Sequence, residues 1–224
     1  ADKIQLQKDL QNLVIWSNKW LLKFHPDKCV SMNIGSYSAH YRYKMGDHEL
    51  STSICEKDIG VYIDQELKFD KHINTIINKA NRILAITRKT FECIDKEIFC
   101  YIFKGLVRPQ LEYAAPVWSP HLIKQKEALE NVQRRATKMV PGLSNMSYPE
   151  RLRTLNLPTL AYRRTRGDMI QVFKIMSDKE GYDKSLPQIL VKNTSGLRGH
   201  DYKLFKNRSQ KDLRKYSFTN RVIN

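Results

Sequence analysis

The stretch "DKHINTIINKANRILAIT", residues 70–87, decides the fold class because its apolar residues recur with the period of an α-helix. Asp70 is a predicted N-cap, since its carboxylate can accept a hydrogen bond from a backbone amide of the first turn. The predicted inward stripe consists of Ile73, Ile76, Ile77, Ala80, Ile83, Leu84 and Thr87. The helical period persists after this segment, so most of the chain is predicted to be helical.

Later segments carry helix signals of the same kind. Asp95 is a predicted cap for a helix that faces the core with Ile98, Tyr101, Ile102 and Leu106. The stretch "LIKQKEALENVQRRATKMV", residues 122–140, predicts a helix that faces the core with Leu122, Leu129, Val132, Ala136 and Met139. Ser147 and Glu150 match a capping box, and residues 160–176 predict a further helix.

The part of the chain before residue 68 shows a different pattern. An opening helix is predicted to end near Lys23, because Pro26 disfavours helical geometry at His25. Its predicted inward face consists of Leu6, Leu10, Leu13, Val14, Ser17 and Leu21. Residues 29–64 alternate with a period of two and predict a small antiparallel sheet, with a turn at Gly46–Asp47 and "DIGVYID" as one strand. The predicted fold class is therefore α+β, mainly α.

Charge is distributed unevenly along the chain. The formal net charge is +16, and residues 101–224 carry 24 basic against 10 acidic side chains, whereas the first 100 residues carry 15 against 13. A region this positive favours a polyanionic partner, with nucleic acid as the first candidate and a membrane surface as the second. The basic clusters lie within predicted helices rather than beside a long apolar span, which favours nucleic acid.

Other classes of protein and site find little support in the sequence. No apolar run approaches the roughly 18 residues that cross a bilayer, which predicts a soluble intracellular chain. The four cysteines, Cys29, Cys55, Cys93 and Cys100, include no CxxC pair, and the six histidines are scattered. Buried free thiols are the favoured interpretation over a metal site or a disulfide. The tryptophans Trp16, Trp20 and Trp118 are predicted to lie in the core.

Six segments, taken in order, resemble the C-terminal portion of a non-LTR (LINE-type, jockey-like) retrotransposon reverse transcriptase. They are "LQKDLQNLVIWSNKWLLKFHPDKC", "KDIGVYID", "LVRPQLEYAAPVWSP", "LENVQRRATKM", "YPERLRTLNLPTLAYRRTRGDMIQVFKI" and "GLRGHDYKLF". The resemblance implies a palm remnant over residues 1–68 with motif D-like and primer-grip-like elements. It implies a helical thumb and connection region over residues 69–180 and a basic, partly irregular tail over residues 181–224.

The resemblance also implies a two-metal polymerase whose catalytic aspartates lie outside this chain. In that family an FADD strand pair precedes the opening helix, and nowhere in this chain are two Asp residues adjacent. We therefore expect the chain to be a fragment that binds no cofactor itself, with Mg²⁺ required by the full-length polymerase. The remainder of the palm and the fingers are expected partners.

Lys28 is the candidate catalytic residue. The resemblance implies that it occupies the position of the palm's motif D lysine, beside the phosphates of the incoming nucleotide. An ammonium group there could neutralise the departing pyrophosphate and donate a proton to it. The alternative is a solvated lysine that precedes a strand.

The primer-grip-like residues are Gly60, Val61 and Tyr62. The resemblance implies a hairpin whose backbone holds the 3′ end of the primer. Gly60 has no side chain and would let a phosphate backbone approach closely, although a strand bulge explains the glycine equally well. Val61 is predicted to face inward, and Tyr62 is the side chain expected to meet solvent or nucleic acid.

Two basic clusters are the candidate nucleic-acid contacts. Arg134, Arg135 and Lys138 are predicted to share one helix and to lie opposite its apolar face. The second cluster consists of Tyr162, Arg163, Arg164 and Arg166. Guanidinium groups bind phosphate and an adjacent aromatic ring can stack on a base, whereas the alternative for each cluster is a solvated helix face.

The expected function is that of a reverse transcriptase fragment that grips the duplex of RNA template and DNA primer through backbone contacts. An RNA–DNA hybrid is the expected ligand, because A-form duplexes are recognised largely through shape and sugar–phosphate contacts. The alternative is a non-catalytic nucleic-acid-binding or assembly protein derived from a decayed retroelement. The resemblance implies that the protein acts in the nucleus and the cytoplasm.

Overall fold

The computed structural model describes residues 2–35, 41–177, 190–192 and 203–223. The chain divides into two compact units, Ala1–Leu67 and Lys68–Asn224. Among the described residues, the first unit contains one α-helix and short strands, and the second contains the remaining α-helices. The predicted α+β fold class with predominant helix is confirmed.

Helix α1 of the first unit spans Asp2–Lys19. It ends four residues before the predicted end at Lys23, and Leu21 beyond it adopts a left-handed backbone with a φ of 58°. The predicted inward face is only partly correct: Ser17 is buried and Leu10 and Val14 are half-buried, whereas Leu6, Leu13 and Leu21 are exposed. The helix instead contacts the strand region through Gln7, whose side chain accepts from the Lys44 amide at 2.9 Å and donates to its carbonyl at 2.8 Å.

Six short strands form three two-stranded ladders in the first unit. They are β1 (Val30–Ser31), β2 (Lys44–Met45), β3 (His48–Glu49), β4 (Ser51–Thr52), β5 (Cys55–Asp58) and β6 (Val61–Asp64). The pairs β2–β3 and β5–β6 are antiparallel as predicted. The pair β1–β4 is parallel, so one small antiparallel sheet was the wrong description of this region.

The stretch "DIGVYID" is the turn and second strand of a hairpin rather than one strand. Ile59 and Gly60 link β5 to β6 and have φ values of 41° and 84°. A two-residue hairpin loop of this kind needs positive φ at both central positions, which glycine adopts without steric cost. The turn therefore explains why a glycine is present at position 60. Neither of the two interpretations from the sequence, close approach of a phosphate or a strand bulge, included this turn.

The second unit is built from helices. Its longer helices are α2 (Asp70–Thr90), α3 (Lys96–Ile102), α6 (Ile123–Ala136), α7 (Tyr148–Leu155) and α8 (Leu160–Met176). Its short helices are α4 (Arg108–Glu112), α5 (Ala115–Trp118), α9 (Asp212–Lys215) and α10 (Phe218–Arg221). A π-helical turn at Phe103–Val107 joins α3 to α4, and a 3₁₀ turn at Thr137–Met139 follows α6.

Helix α2 provides one wall of the core. Within the predicted stripe Ile73, Ile76, Ala80, Leu84 and Thr87 are buried, while Ile77 and Ile83 are half-buried. Asp70 is the first residue of the helix and does not cap it. Its carboxylate accepts a hydrogen bond from the Gln125 side-chain amide of α6 at 2.7 Å, which ties the start of α2 to α6.

The predicted inward stripe of the next helix is wrong. Asp95 caps α3 as predicted, with its carboxylate accepting from the Ile98 amide at 2.8 Å. The buried side chains, however, are Phe99, Phe103, Val107 and Leu111, whereas Tyr101 and Leu106 are exposed. The π-helical turn contains more residues than an α-helical turn, so residues four apart stay on one face of the continuous α3–α4 segment.

Helices α5 to α8 close the core. Trp118 is buried as predicted, and its indole N–H donates to the Tyr113 carbonyl at 2.7 Å. Trp16 and Trp20 of α1 are exposed, so their predicted place in the core is wrong. In α6 the buried apolar residues are Leu129, Val132 and Ala136, and the predicted inward residue Leu122 is exposed. The capping box of Ser147 and Glu150 is confirmed.

The predicted basic tail, residues 181–224, is described only at 190–192 and 203–223. The remainder of the tail, including much of "GLRGHDYKLF", lies outside the described residues. In the described part, Arg221 packs onto the helical core. Its guanidinium donates to both carboxylate oxygens of Asp168, at 2.9 and 3.0 Å, and to the Pro116 carbonyl at 3.0 Å.

Candidate nucleic-acid interface

Glu130 organises the centre of the second unit. This buried residue of α6 accepts hydrogen bonds from the Tyr148 hydroxyl and from the Leu160 and Ala161 amides, both at 3.3 Å. A carboxylate at the N-terminus of α8 is favourable because the helix dipole is positive there. Burial, followed by the hydrogen bond to Glu130, raises the pKa of Tyr148 far above its usual range. The tyrosine is therefore a fixed hydrogen-bond donor at neutral pH.

Tyr148 also supports the first basic cluster. The guanidinium carbon of Arg134 lies 5.2 Å from the centre of the Tyr148 ring, within the range of a cation–π contact. The neighbouring Arg151 is buried and donates to Thr137 Oγ1 at 3.0 Å and to the Arg134 carbonyl at 3.3 Å. These contacts fix the end of α6 and hence the position from which Arg134 projects.

Arg135 and Lys138 complete this cluster. Arg135 donates to the Asn81 side chain of α2 at 3.0 Å, and Arg134 donates to Asn131 at 3.1 Å. Lys138 lies in the 3₁₀ turn after α6, which corrects the prediction that all three residues share one helix. All three are exposed, and none forms an ion pair with a carboxylate in the described part of the chain. Their positive charges therefore remain available to an external anion.

The second cluster is not the uniform charged face that the sequence predicted. Arg163 is engaged in an ion pair with Glu112, which includes a contact of 2.8 Å between its Nη2 and Oε2 of the carboxylate. The hydrogen bond to Glu112 raises the pKa of Arg163. Arg164 is buried, with only 6% of its surface exposed. Tyr162 and Arg166 are exposed, so these two are the members available at the surface.

Lys28 and the primer-grip-like residues belong to the first unit. Lys28 is exposed at the end of a 3₁₀ turn, Pro26–Lys28, where its amide donates to the His25 carbonyl at 3.0 Å. Val61 is buried as predicted, and Tyr62 is half-buried with the Lys57 ammonium 5.8 Å from its ring centre. Gly60 is exposed in the hairpin turn.

The remaining predictions concern metals, thiols and membranes. Among the described residues, no three His, Cys, Asp or Glu side chains come together as metal ligands would. The four cysteines are free thiols as predicted, but none is buried: Cys29, Cys55 and Cys100 are half-buried and Cys93 is exposed. Within the described ranges no helix is both long and apolar enough to cross a bilayer.

Comparison with known proteins gives one distant relative. An uncharacterized protein of Caenorhabditis elegans is 24% identical over 144 residues, which make up 62% of this chain and 71% of that protein. No family model matches the chain. No solved structure matches it. At this level of identity the alignment alone assigns no family.

Proposed function

We propose that this chain is the part of a non-LTR-type reverse transcriptase that grips the template–primer duplex through its sugar–phosphate backbone. The proposal combines the sequence resemblance with one structural observation. Arg134, Arg135 and Lys138 are exposed at the end of α6 and have no carboxylate partner among the described residues. Exposed cations that have no carboxylate partner among the described residues are suited to phosphate contacts.

The contacts around these cations support a binding role over a merely solvated helix face. Tyr148, Asn131 and Asn81 hold the two guanidinium groups through neutral partners. A neutral partner orients a guanidinium group without cancelling its charge. An orienting contact also lowers the side-chain entropy that is lost when a ligand binds.

Charge at the level of the units supports the same role. The unit Lys68–Asn224 contains 31 basic and 14 acidic residues, a formal net charge of +17, while Ala1–Leu67 carries a net charge of −1. The whole positive excess of the chain thus belongs to the helical unit. Such an excess promotes association with a polyanion and makes that association sensitive to salt.

A salt titration tests the proposal. The chain is expected to bind an RNA–DNA hybrid with little sequence preference, as measured by fluorescence anisotropy on several unrelated hybrids. With on the order of six phosphate contacts, the affinity should fall roughly a thousandfold between about 50 and 200 mM salt. Binding that is independent of salt, or that depends strongly on sequence, would contradict a backbone grip.

A second measurement separates the polymerase from the alternative, a non-catalytic binding or assembly protein of retroelement origin. The chain contains no adjacent pair of Asp residues, and we expect no primer extension by the chain alone. Extension is expected from a longer protein that carries the coding sequence upstream of Ala1, provided that this sequence contains adjacent catalytic aspartates. Hybrid binding with an upstream sequence that lacks them would favour the non-catalytic alternative.

A further inference from the structure

A cleft of about 230 Å³ lies between α8 on one side and the end of α4 and the start of α5 on the other. Arg163, Arg164, Arg166 and Gly167 of α8 contribute to its lining, and Glu112 of α4 contributes from the opposite side. Arg163 and Glu112 satisfy each other in their ion pair. The groups of the cleft that are left for a ligand are therefore the cations Arg164 and Arg166.

Arg164 is the unusual residue of this cleft. Only 6% of its surface is exposed, and its Nη1 atom has no hydrogen-bond partner among the described residues. A buried guanidinium N–H without an acceptor is costly, and most buried polar groups in proteins have a partner. Burial lowers the pKa of Arg164, while the charges of Glu130, Glu112 and Asp168 oppose that shift.

The three carboxylates near Arg164 are already used elsewhere. Glu112 is paired with Arg163, and Asp168 is held by both donors of Arg221. Glu130 accepts from the Tyr148 hydroxyl and from two backbone amides at the start of α8. These carboxylates act on Arg164 through their charge, but none accepts a hydrogen bond from its Nη1.

The charge around the cleft also leaves an excess. The cleft and its ion-pair partners bring together five guanidinium groups, those of Arg108, Arg163, Arg164, Arg166 and Arg221. Against them stand three carboxylates, those of Glu112, Glu130 and Asp168. The net formal charge is +2, which favours an anionic ligand with several acceptor oxygens.

Gly167 leaves room for such a ligand. It lines the cleft within helix α8, and a Cβ atom added there would meet nothing within 4 Å. Glycine inside a helix is less favourable than alanine by about 1 kcal/mol, so its presence weakens the helix while it keeps the wall of the cleft open. The wall of the cleft is therefore open at Gly167.

We infer that this cleft is a phosphate-binding site in which Arg164 and Arg166 hold the anion. Guanidinium groups donate paired N–H bonds to phosphate oxygens, and charge-assisted bonds of this kind are strong where water is excluded. The site goes beyond the proposed grip of a duplex, because it is a discrete pocket for one phosphate group. That group comes either from a nucleic-acid backbone or from free phosphate.

The test uses inorganic phosphate and the full chain. Phosphate binding is measured by isothermal titration calorimetry, with chloride adjusted to keep the ionic strength constant. Gly167→Glu places a carboxylate in the cleft and is expected to weaken phosphate binding by about tenfold or more. Arg153→Gln is the control, because Arg153 is an exposed arginine of α7 outside the cleft, and it should bind phosphate as the wild type does.

A second variant keeps the test decisive if Gly167→Glu does not fold. Arg166 is exposed, so Arg166→Gln is expected to leave the fold intact, as judged by circular dichroism, and to weaken phosphate binding about tenfold. Absence of phosphate binding to the wild type overturns the inference. Unchanged phosphate affinity in folded Gly167→Glu or Arg166→Gln overturns it as well.

Hybrid binding by the same variants identifies the source of the phosphate. Equal loss of hybrid and phosphate binding in Gly167→Glu supports the site and assigns it to a backbone phosphate. Loss of phosphate binding alone supports the site and assigns it to the free anion. If the wild type binds phosphate but no hybrid, the cleft site is supported while the proposed duplex grip is contradicted, so the two proposals fail separately.

Discussion

Lys28 is the single residue to which the resemblance gives a chemical role. It is exposed at the end of its 3₁₀ turn, where a nucleotide could reach its ammonium group. In a full-length polymerase, Lys28→Ala should lower the maximal rate of nucleotide incorporation by about 10²- to 10⁴-fold and leave primer–template affinity nearly unchanged. Single-turnover kinetics measure this rate. Lys28→Arg should recover only part of it, because arginine keeps the charge but gives up its proton far less readily.

Lys23 supplies the matched control for this experiment. It is also an exposed lysine in the link after α1, but the resemblance gives it no catalytic role. Lys23→Ala should therefore retain the wild-type incorporation rate. An equal rate for wild type and Lys28→Ala would remove Lys28 from the chemistry and leave the chain a purely gripping role.

His72 predicts a dependence of stability on pH. It is buried edge-on against Trp118, with 5.2 Å between ring centres, and burial followed by the charge of Lys79 lowers its pKa. Below the ordinary pKa of histidine, near 6.5, the unfolded chain takes up a proton that the folded chain resists. Stability should therefore be highest above that value and fall as the pH drops through it toward the lower pKa of the folded state.

The His72→Gln variant isolates this effect. Urea unfolding between pH 7.5 and 5 should show a falling free energy of unfolding for the wild type and a flatter dependence for the variant. Glu150 affects stability in a more acidic pH range than His72. The hydrogen bonds that it accepts from Ser147 hold its pKa below its usual range, so its contribution to stability is lost only at lower pH. Parallel curves for wild type and His72→Gln would contradict the assignment to His72.

At the scale of the elements, the continuous α3–α4 segment gives a sharp test of which face is buried. Phe103 is buried and stacks on Phe99 at 5.6 Å between ring centres, whereas Leu106 is exposed. Phe103→Ala should lower the free energy of unfolding by about 3–5 kcal/mol, through lost burial and a residual cavity. Leu106→Ala should change it by no more than about 0.5 kcal/mol. Urea unfolding of both variants checks the pair, and similar losses would restore the face predicted from the sequence.

Local signals explain which features of these elements could be predicted from the sequence. The Asp95 cap, the capping box at Ser147 and Glu150 and the helix at residues 160–176 all depend on neighbours within a few positions. The inward face of α3–α4 could not be predicted in the same way. Which face is buried depends on packing against α2, and the π-helical turn changes the angular spacing of the side chains only after Ile102.

The candidate site was harder to predict because its contacts are distant in sequence. Arg163 pairs with Glu112, 51 positions away, and Asp168 pairs with Arg221, 53 positions away. A run of arginines in one helix indicates a charged face, but it does not reveal which members find such partners. The clustering of Tyr162, Arg163, Arg164 and Arg166 was therefore visible, whereas the burial of Arg164 was not.

At the scale of the whole molecule, the two units differ in charge as well as in structure. The helical unit carries a formal net charge of +17 and the first unit carries −1. Nucleic-acid affinity should therefore depend on cations of the helical unit more than on those of the first unit. This expectation can be tested by neutralising equal numbers of basic side chains in each unit. Each unit has exposed basic side chains that can be replaced without altering the core.

The last prediction compares two triple variants of the full chain. Replacement of Arg134, Arg135 and Lys138 with Gln should weaken binding to all hybrids about equally and reduce the slope of log affinity against log salt by roughly two to three. Replacement of Lys8, Lys23 and Lys57 with Gln in the first unit should leave that slope nearly unchanged. Fluorescence anisotropy at several salt concentrations gives both slopes, and circular dichroism confirms that each variant is folded. Equal slopes for the wild type and the folded helical-unit variant would mean that these three side chains face solvent, and the duplex would then have to lie on another face of the helical unit.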